Sequence, residues 1–111
     1  MNYLVELKLA HRPVNQQEGI VFIEQFILPT LELCKKLEAQ KKIVAGGPRS
    51  GAVALSLIVS ADSAQELDDL ITNIPVWPRM ETTVTPLTTF DVRMRAVRAR
   101  LEQLKTQGGD R

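Results

Sequence analysis

Residues 67–87 read LDDLITNIPVWPRMETTVTPL, and a helix, a corner and a strand succeed one another there without a gap. Leu67, Leu70, Ile71 and Ile74 recur at threes and fours, the apolar stripe of an amphipathic helix. Ser63 stands three residues before Glu66, the spacing of a capping box, so the helix is predicted over 63–74, with Pro75 ending it. Pro75 and Pro78 bracket Val76 and Trp77, the single tryptophan of the chain. Each proline fixes φ, so the corner is stiff and holds an indole in place at little entropic cost. ETTVTPL (81–87) then reads as a short closing strand.

The upstream chain supplies a matching half. YLVELKL (3–9) alternates with period two and reads as a first strand. Asn15 to about Gln40 reads as a helix, opened by Asn15 and Glu18 at capping-box spacing and striped by Ile20, Ile23, Ile27, Leu31, Cys34 and Leu37. Pro29 lies inside it, which predicts a kink or break near Leu28. KIVAGGPRSGAVALSLIVSA (42–61) reads as a hairpin, with strands over 42–47 and 52–60 and a turn at 48–51. The element order is β-α-β-β-α-β. This is the α+β, ferredoxin-like pattern: a four-stranded antiparallel sheet with both helices on one face.

The last residues lie outside that pattern. Residues 1–90 are expected to form the domain and 91–111 a basic helix and tail. Asp91 is the expected cap of a helix over 92–105, VRMRAVRARLEQLK, with Val97, Leu101 and Leu104 as a weak apolar stripe. TQGGDR (106–111) reads as disordered.

The chain's 111 residues suit one domain, and a formal net charge of +1 gives no drive toward nucleic acid or membrane. One cysteine, Cys34, makes no internal disulfide, which fits a reducing, cytoplasmic setting. No signal peptide is expected from MNYLVELKLAHR, and the apolar run AVALSLIV (52–59) is too short to span a bilayer.

Strand alternation sorts the side chains onto two faces. Val5, Leu7, Leu9, Val53, Leu55, Leu57 and Val59 are assigned to the helix-covered core. Leu4, Glu6, Lys8, Ala54, Ser56, Thr83 and Thr85 fall on the other face. In a monomer that face meets water. In a dimer packed sheet to sheet it lines a cavity, where Ala54 and Ser56 leave room for a small-molecule ligand and Glu6 and Lys8 are its polar contacts.

The order of elements, the N-terminal YLVELKL, and above all residues 67–87 resemble the muconolactone Δ-isomerase family. Its members are small ferredoxin-like chains whose second helix runs into a Leu-Pro-x-aromatic-Pro segment and a closing strand ending Val-Thr-Pro-Leu. Here these are Ile74-Pro75-Val76-Trp77-Pro78 and Val84-Thr85-Pro86-Leu87, and only 67–87 is specific as a motif. The resemblance implies a dimeric α/β barrel, further assembly into rings, and a double-bond shift by proton transfer with no cofactor and no metal. Such a step needs a base beside an acidic C–H, a cation or donor for the enolate oxygen, and exclusion of water. The chain departs from the family in its middle strands, where Ile43–Gly47 and Val53–Ser56 replace aromatic, basic, tyrosine and asparagine residues. That points to a different ligand.

Each candidate has a functional and a structural reading. Glu6 and Lys8, two apart on a strand, share a face; they serve as base and anion holder, or as a solvated or intersubunit ion pair. Trp77 and Arg79 form the lip of a cavity, or Trp77 plugs the end of the core or a dimer interface. His11 reads as a surface residue, Arg49 in GGPRSG as part of a hairpin turn, and Cys34 as a buried thiol. No ligand set for a metal is visible. Two further readings stand beside the isomerase: a non-catalytic binder or assembly-forming member of the same fold, and a cofactor-free monooxygenase, for which no motif speaks.

Overall fold

The computed structural model describes residues 1–109. Its strands are β1 (Asn2–Leu9), β2 (Ile43–Pro48), β3 (Ala54–Ser60) and β4 (Met80–Pro86). Its helices are α1 (Gln16–Phe22), α2 (Leu28–Ala39), α3 (Ala64–Thr72) and α4 (Phe90–Gly109). The strands form one sheet in the order β2-β3-β1-β4, with every neighbouring pair antiparallel. The ferredoxin-like α+β expectation therefore holds, with α4 as an addition beyond it.

Period-two alternation does place one face of the sheet inside. Val5, Leu7, Leu55, Leu57 and Val59 are buried against Phe22, Leu37, Leu67, Ile71, Ile74 and Val76. Each such aliphatic side chain, fully buried, contributes roughly 1.5–3 kcal/mol. Val53 is an exception. It precedes β3 and is exposed, so it leaves the core face to which the alternation assigned it.

The two predicted helix starts have the same construction. The Glu18 N–H donates to Asn15 Oδ1 at 2.8 Å, and the Glu66 N–H donates to Ser63 Oγ at 3.1 Å. Each glutamate reaches back to a backbone N–H just before the helix, Val14 for Glu18 and Asp62 for Glu66. Donors that the helix ends leave unpaired are thereby satisfied.

Pro29 acts one turn upstream of its own position. Residues Ile23–Ile27 form a π-helical turn between α1 and α2, closed by the Leu28 N–H on the Ile23 carbonyl. Pro29 has no N–H to offer, and an extra residue in the turn before it relieves the clash of its ring. That residue rotates the downstream helix by about 100° relative to an unbroken one. The predicted stripe is split as a result. Leu37 is buried, and Ile27 and Cys34 pack on the core, but Ile20, Ile23 and Leu31 are exposed; Phe22, Phe26 and Thr30 face inward in their place.

The corner after α3 also differs in detail from the expectation. Residues Trp77–Arg79 form a single 3-10 turn, with the Trp77 N–H on the Ile74 carbonyl and the Arg79 N–H on the Val76 carbonyl. Ile74 and Val76 are the side chains that fill the core, at 1% exposure each, whereas Trp77 is 38% exposed. Trp77 is therefore not the plug of this domain's core. The helix needs the aliphatic pair on its inner face, and the turn sends the next residue outward.

The tail is helical further than expected. Thr89, not Asp91, opens α4: its hydroxyl accepts from the Val92 N–H and its carbonyl from the Arg93 N–H. Residues 106–109, read from the sequence as disordered, continue the helix, while Asp110 and Arg111 lie outside the described residues. The helix extends the molecule to 73 Å in its long dimension.

Candidate active site

The uncovered face of the sheet brings four of the predicted site residues together. Register alone sets their neighbours. Glu6 stands between Ser56 on β3 and Thr83 on β4. Lys8 stands between Ala54 and Glu81. Leu4 stands between Ile58 and Thr85, and Gly47 of β2 lies beyond Ser56. Glu6, Lys8, Glu81 and Thr83 are exposed, Ser56 is half-buried and Ala54 is buried. The face is thus a polar row beside a charged row, floored by small side chains. Glu81, which the sequence reading did not select, is the acid nearest to Lys8 in the ladder.

Room for the β2 edge of this face depends on Gly46. Its φ is +98°, and a Cβ there would overlap the Ser56 carbonyl oxygen. The left-handed conformation accompanies a register irregularity between Ile43 and Ala45.

Trp77 and Arg79 belong to a different place, the corner at the far end of the helix-covered side. The Arg79 guanidinium donates to the His11 carbonyl through Nε at 3.2 Å and Nη2 at 2.9 Å. It lies over the rings of Phe22 and Phe26, 5.0 and 5.7 Å from their centroids, with Glu18 Oε1 at 3.9 Å. One side chain therefore ties the loop after β1, the α1 helix and the corner together, and several of its donors are already used.

Beside this clasp lies a cavity of about 780 Å³, between the helices and the end of the sheet. Leu9, Phe22, Ile27, Leu31, Leu55 and Met80 give it an apolar wall, and Arg12 supplies a charge. Its volume is in the range of sites that take small molecules. Ile23 and Leu31, displaced from the core by the π turn, line it. Of the six predicted site residues only Ala54 contributes to this cavity; Glu6, Lys8, Ser56, Trp77 and Arg79 do not. Sequence reasoning missed it because it looked for space only on the uncovered face. The available signal was Pro29 inside a helix carrying more large apolar residues than one narrow stripe accommodates.

The other reactive groups are quiet. Burial pushes the Cys34 thiol above its ordinary value of 9.0. His11 is exposed and contributes its carbonyl rather than its ring to the clasp. Among the described residues, no three His, Cys, Asp or Glu side chains are grouped to hold a metal, and no helix is long and apolar enough to cross a membrane.

Comparison with known proteins agrees with this architecture. The family model described as muconolactone delta-isomerase matches residues 1–93. Muconolactone isomerase, a solved structure, shares 18% identity with a TM-score of 0.66, over 80% of this chain and 90% of that one. A second solved structure is 5-chloro-2-hydroxyhydroquinone dehydrochlorinase from Burkholderia phenoliruptrix AC1100, in complex with 2,5-dihydroxybenzoquinone. It shares 24% identity with a TM-score of 0.55, over 82% of this chain and 97% of that one. At these identities the two structures bear on the fold alone. Comparison with curated protein sequences finds no match. The chain belongs to the muconolactone delta-isomerase family, a membership that supports an isomerase-like or related catalytic function.

Proposed function

We propose that this protein is a cofactor-independent isomerase that moves a proton on a small unsaturated lactone or related carbonyl compound. The observation that carries the reading is the juxtaposition of Glu6 and Lys8 on one sheet face, with Ser56 and Thr83 flanking the carboxylate. Two residues along a strand span about 7 Å, close to the width of a small ring. The Glu6 carboxylate takes a proton from the carbon at the far end of the conjugated carbonyl system, and the C–H electron pair delocalises through the double bond toward the carbonyl oxygen. The Lys8 ammonium stabilises the negative charge on that oxygen, and the Ser56 and Thr83 hydroxyls donate to polar groups nearby. Glu6 then returns the proton to the carbon beside the carbonyl, which leaves the double bond displaced and the enzyme unchanged. A second copy covering this face would exclude water and raise the strength of both interactions.

Muconolactone turnover followed in a spectrophotometer tests the reading, with Glu6→Gln measured in parallel. Isomerisation lost in the variant supports it. Turnover that survives Glu6→Gln removes Glu6 as the base.

The apolar cavity supports a second reading: the chain holds a small hydrophobic ligand there without transforming it. The cavity shares Ala54 with the open face but includes none of Glu6, Lys8 and Ser56, so the two readings seat the ligand differently. Calorimetric titration with muconolactone and with 2,5-dihydroxybenzoquinone separates the two. Binding lost in Leu31→Trp and kept in Glu6→Gln places the ligand in the cavity; the reverse pattern places it on the face.

A further inference from the structure

Helix α4 has no place in the reaction and little contact with the domain that carries it. All its described residues up to 108 are exposed. Phe90, Met94, Val97, Leu101 and Leu104 are spaced 4-3-4-3 along it, and each is between 47% and 90% exposed. That is the spacing of a helix seam, which water does not stabilise; such a stripe requires a covering surface. The charges beside it narrow the choice of cover. Residues 90–109 carry five basic side chains against two acidic ones, whereas residues 1–89 carry eight basic against ten acidic.

Pairing of two such arms is opposed by those charges. In a parallel pair the seam sets Arg93 beside Arg98 of the other arm and Arg100 beside its Lys105. In an antiparallel pair the flank carrying Arg93 and Arg100 meets its own copy, and the flank carrying Asp91, Arg98 and Lys105 meets its own, so the arginines of the first flank still face one another. Like charges at these positions disfavour the pair. The complementary surface is on α1 and α2. Residues 14–34 contain Glu18, Glu24 and Glu32 and no lysine or arginine, with Lys35 and Lys36 only beyond their end. The same segment exposes Val14 at 82%, Ile20 at 42%, Val21 at 43% and Leu28 at 49%.

We infer that α4 of one copy packs on the outer α1–α2 face of a second copy, its apolar seam on Ile20, Val21 and Leu28 and its arginines toward Glu24 and Glu32. The arm points away from its own domain, so the surface it meets belongs to another chain. A 20-residue helix is about 30 Å long and about 10 Å wide. Two reciprocal arms would bury roughly 1,200 Å² in total, counting both sides, the lower end of a stable interface. The inference is independent of the catalytic reading, since α4, Glu24 and Glu32 lie outside both candidate sites.

Sedimentation of the full chain tests it by charge reversal. Arg98→Glu with Arg100→Glu is expected to lower the sedimentation mass at least twofold, and adding Glu24→Arg with Glu32→Arg is expected to restore it. A wild-type protein that sediments as a single chain, an unchanged mass in the arginine variant, or a loss that the glutamate changes do not restore, overturns it. Cysteine cross-linking in a Cys34→Ser background gives a second measure. Chains carrying Leu28→Cys, mixed with chains carrying Val97→Cys, are expected to form a disulfide heterodimer on oxidation. Val97→Cys chains that cross-link only to one another indicate paired arms. A double variant that cross-links only within one chain indicates an arm folded back on its own domain. Either result overturns the inference.

Discussion

The Thr30 hydroxyl accepts a hydrogen bond of 3.0 Å from the backbone N–H of Val76, and both residues are buried. This bond fixes the corner after α3 to the helix that Pro29 interrupts. Thr30→Val keeps the shape and strands a buried donor, which costs about 1–3 kcal/mol. Thr30→Ser keeps the acceptor. Chemical denaturation is therefore expected to show a clear loss for valine and a smaller one for serine.

Arg79 holds the loop after β1 through a forked contact on one carbonyl and two aromatic faces. Arg79→Lys keeps the charge but not the planar fork. The variant is expected to lose about 1–2 kcal/mol of stability, read as a lower melting temperature. Stability equal to the wild type would mean that the clasp holds nothing.

Adjacent glycines in β2 should respond unequally. Gly46→Ala places a methyl on the Ser56 carbonyl in a left-handed backbone, whereas Gly47→Ala meets nothing within 4 Å. The first is expected to cost more than about 2 kcal/mol and the second less than about 1 kcal/mol. Urea unfolding of the two variants compares them directly.

On the open face, Glu6→Gln is expected to lower kcat by roughly 10²–10⁴-fold, the range for loss of a general base. Its melting temperature should stay near that of the wild type, since Glu6 is exposed. Lys8→Gln should lower kcat as well, through the enolate oxygen. A fall in activity that tracks a fall in stability would count against both roles.

Cys34 should alkylate slowly at neutral pH, because burial raises its pKa and keeps the thiol protonated. A folded-state pKa above the unfolded value makes the folded chain hold its proton longer. Stability is thus unaffected by this group below the unfolded thiol's pKa, and falls as pH rises from there through the folded value. Iodoacetamide labelling against pH should show a midpoint above that of the unfolded chain. Rapid labelling at pH 7 would contradict the burial.

Local rules made most of the fold legible. Capping pairs at Asn15–Glu18 and Ser63–Glu66, period-two alternation in β1 and β3, and the turn residues at 48–51 each act within a few residues of chain. The faces of Glu6, Lys8, Ala54 and Ser56 came from the same alternation, because a strand has only two faces to offer. The features that stayed open depended on contacts distant along the chain or on a choice between alternatives close in energy. A proline in a helix permits a kink, a break or a π turn, and packing against the sheet selected the last, which moved Ile23 and Leu31 from the core to the wall of a cavity. Trp77 and Val76 compete for the same interior, and only the turn beneath them decides that the smaller side chain goes in. The role of Arg79 required knowing that Phe22, Phe26 and the His11 carbonyl meet at one point, and chain folding alone brings those residues together.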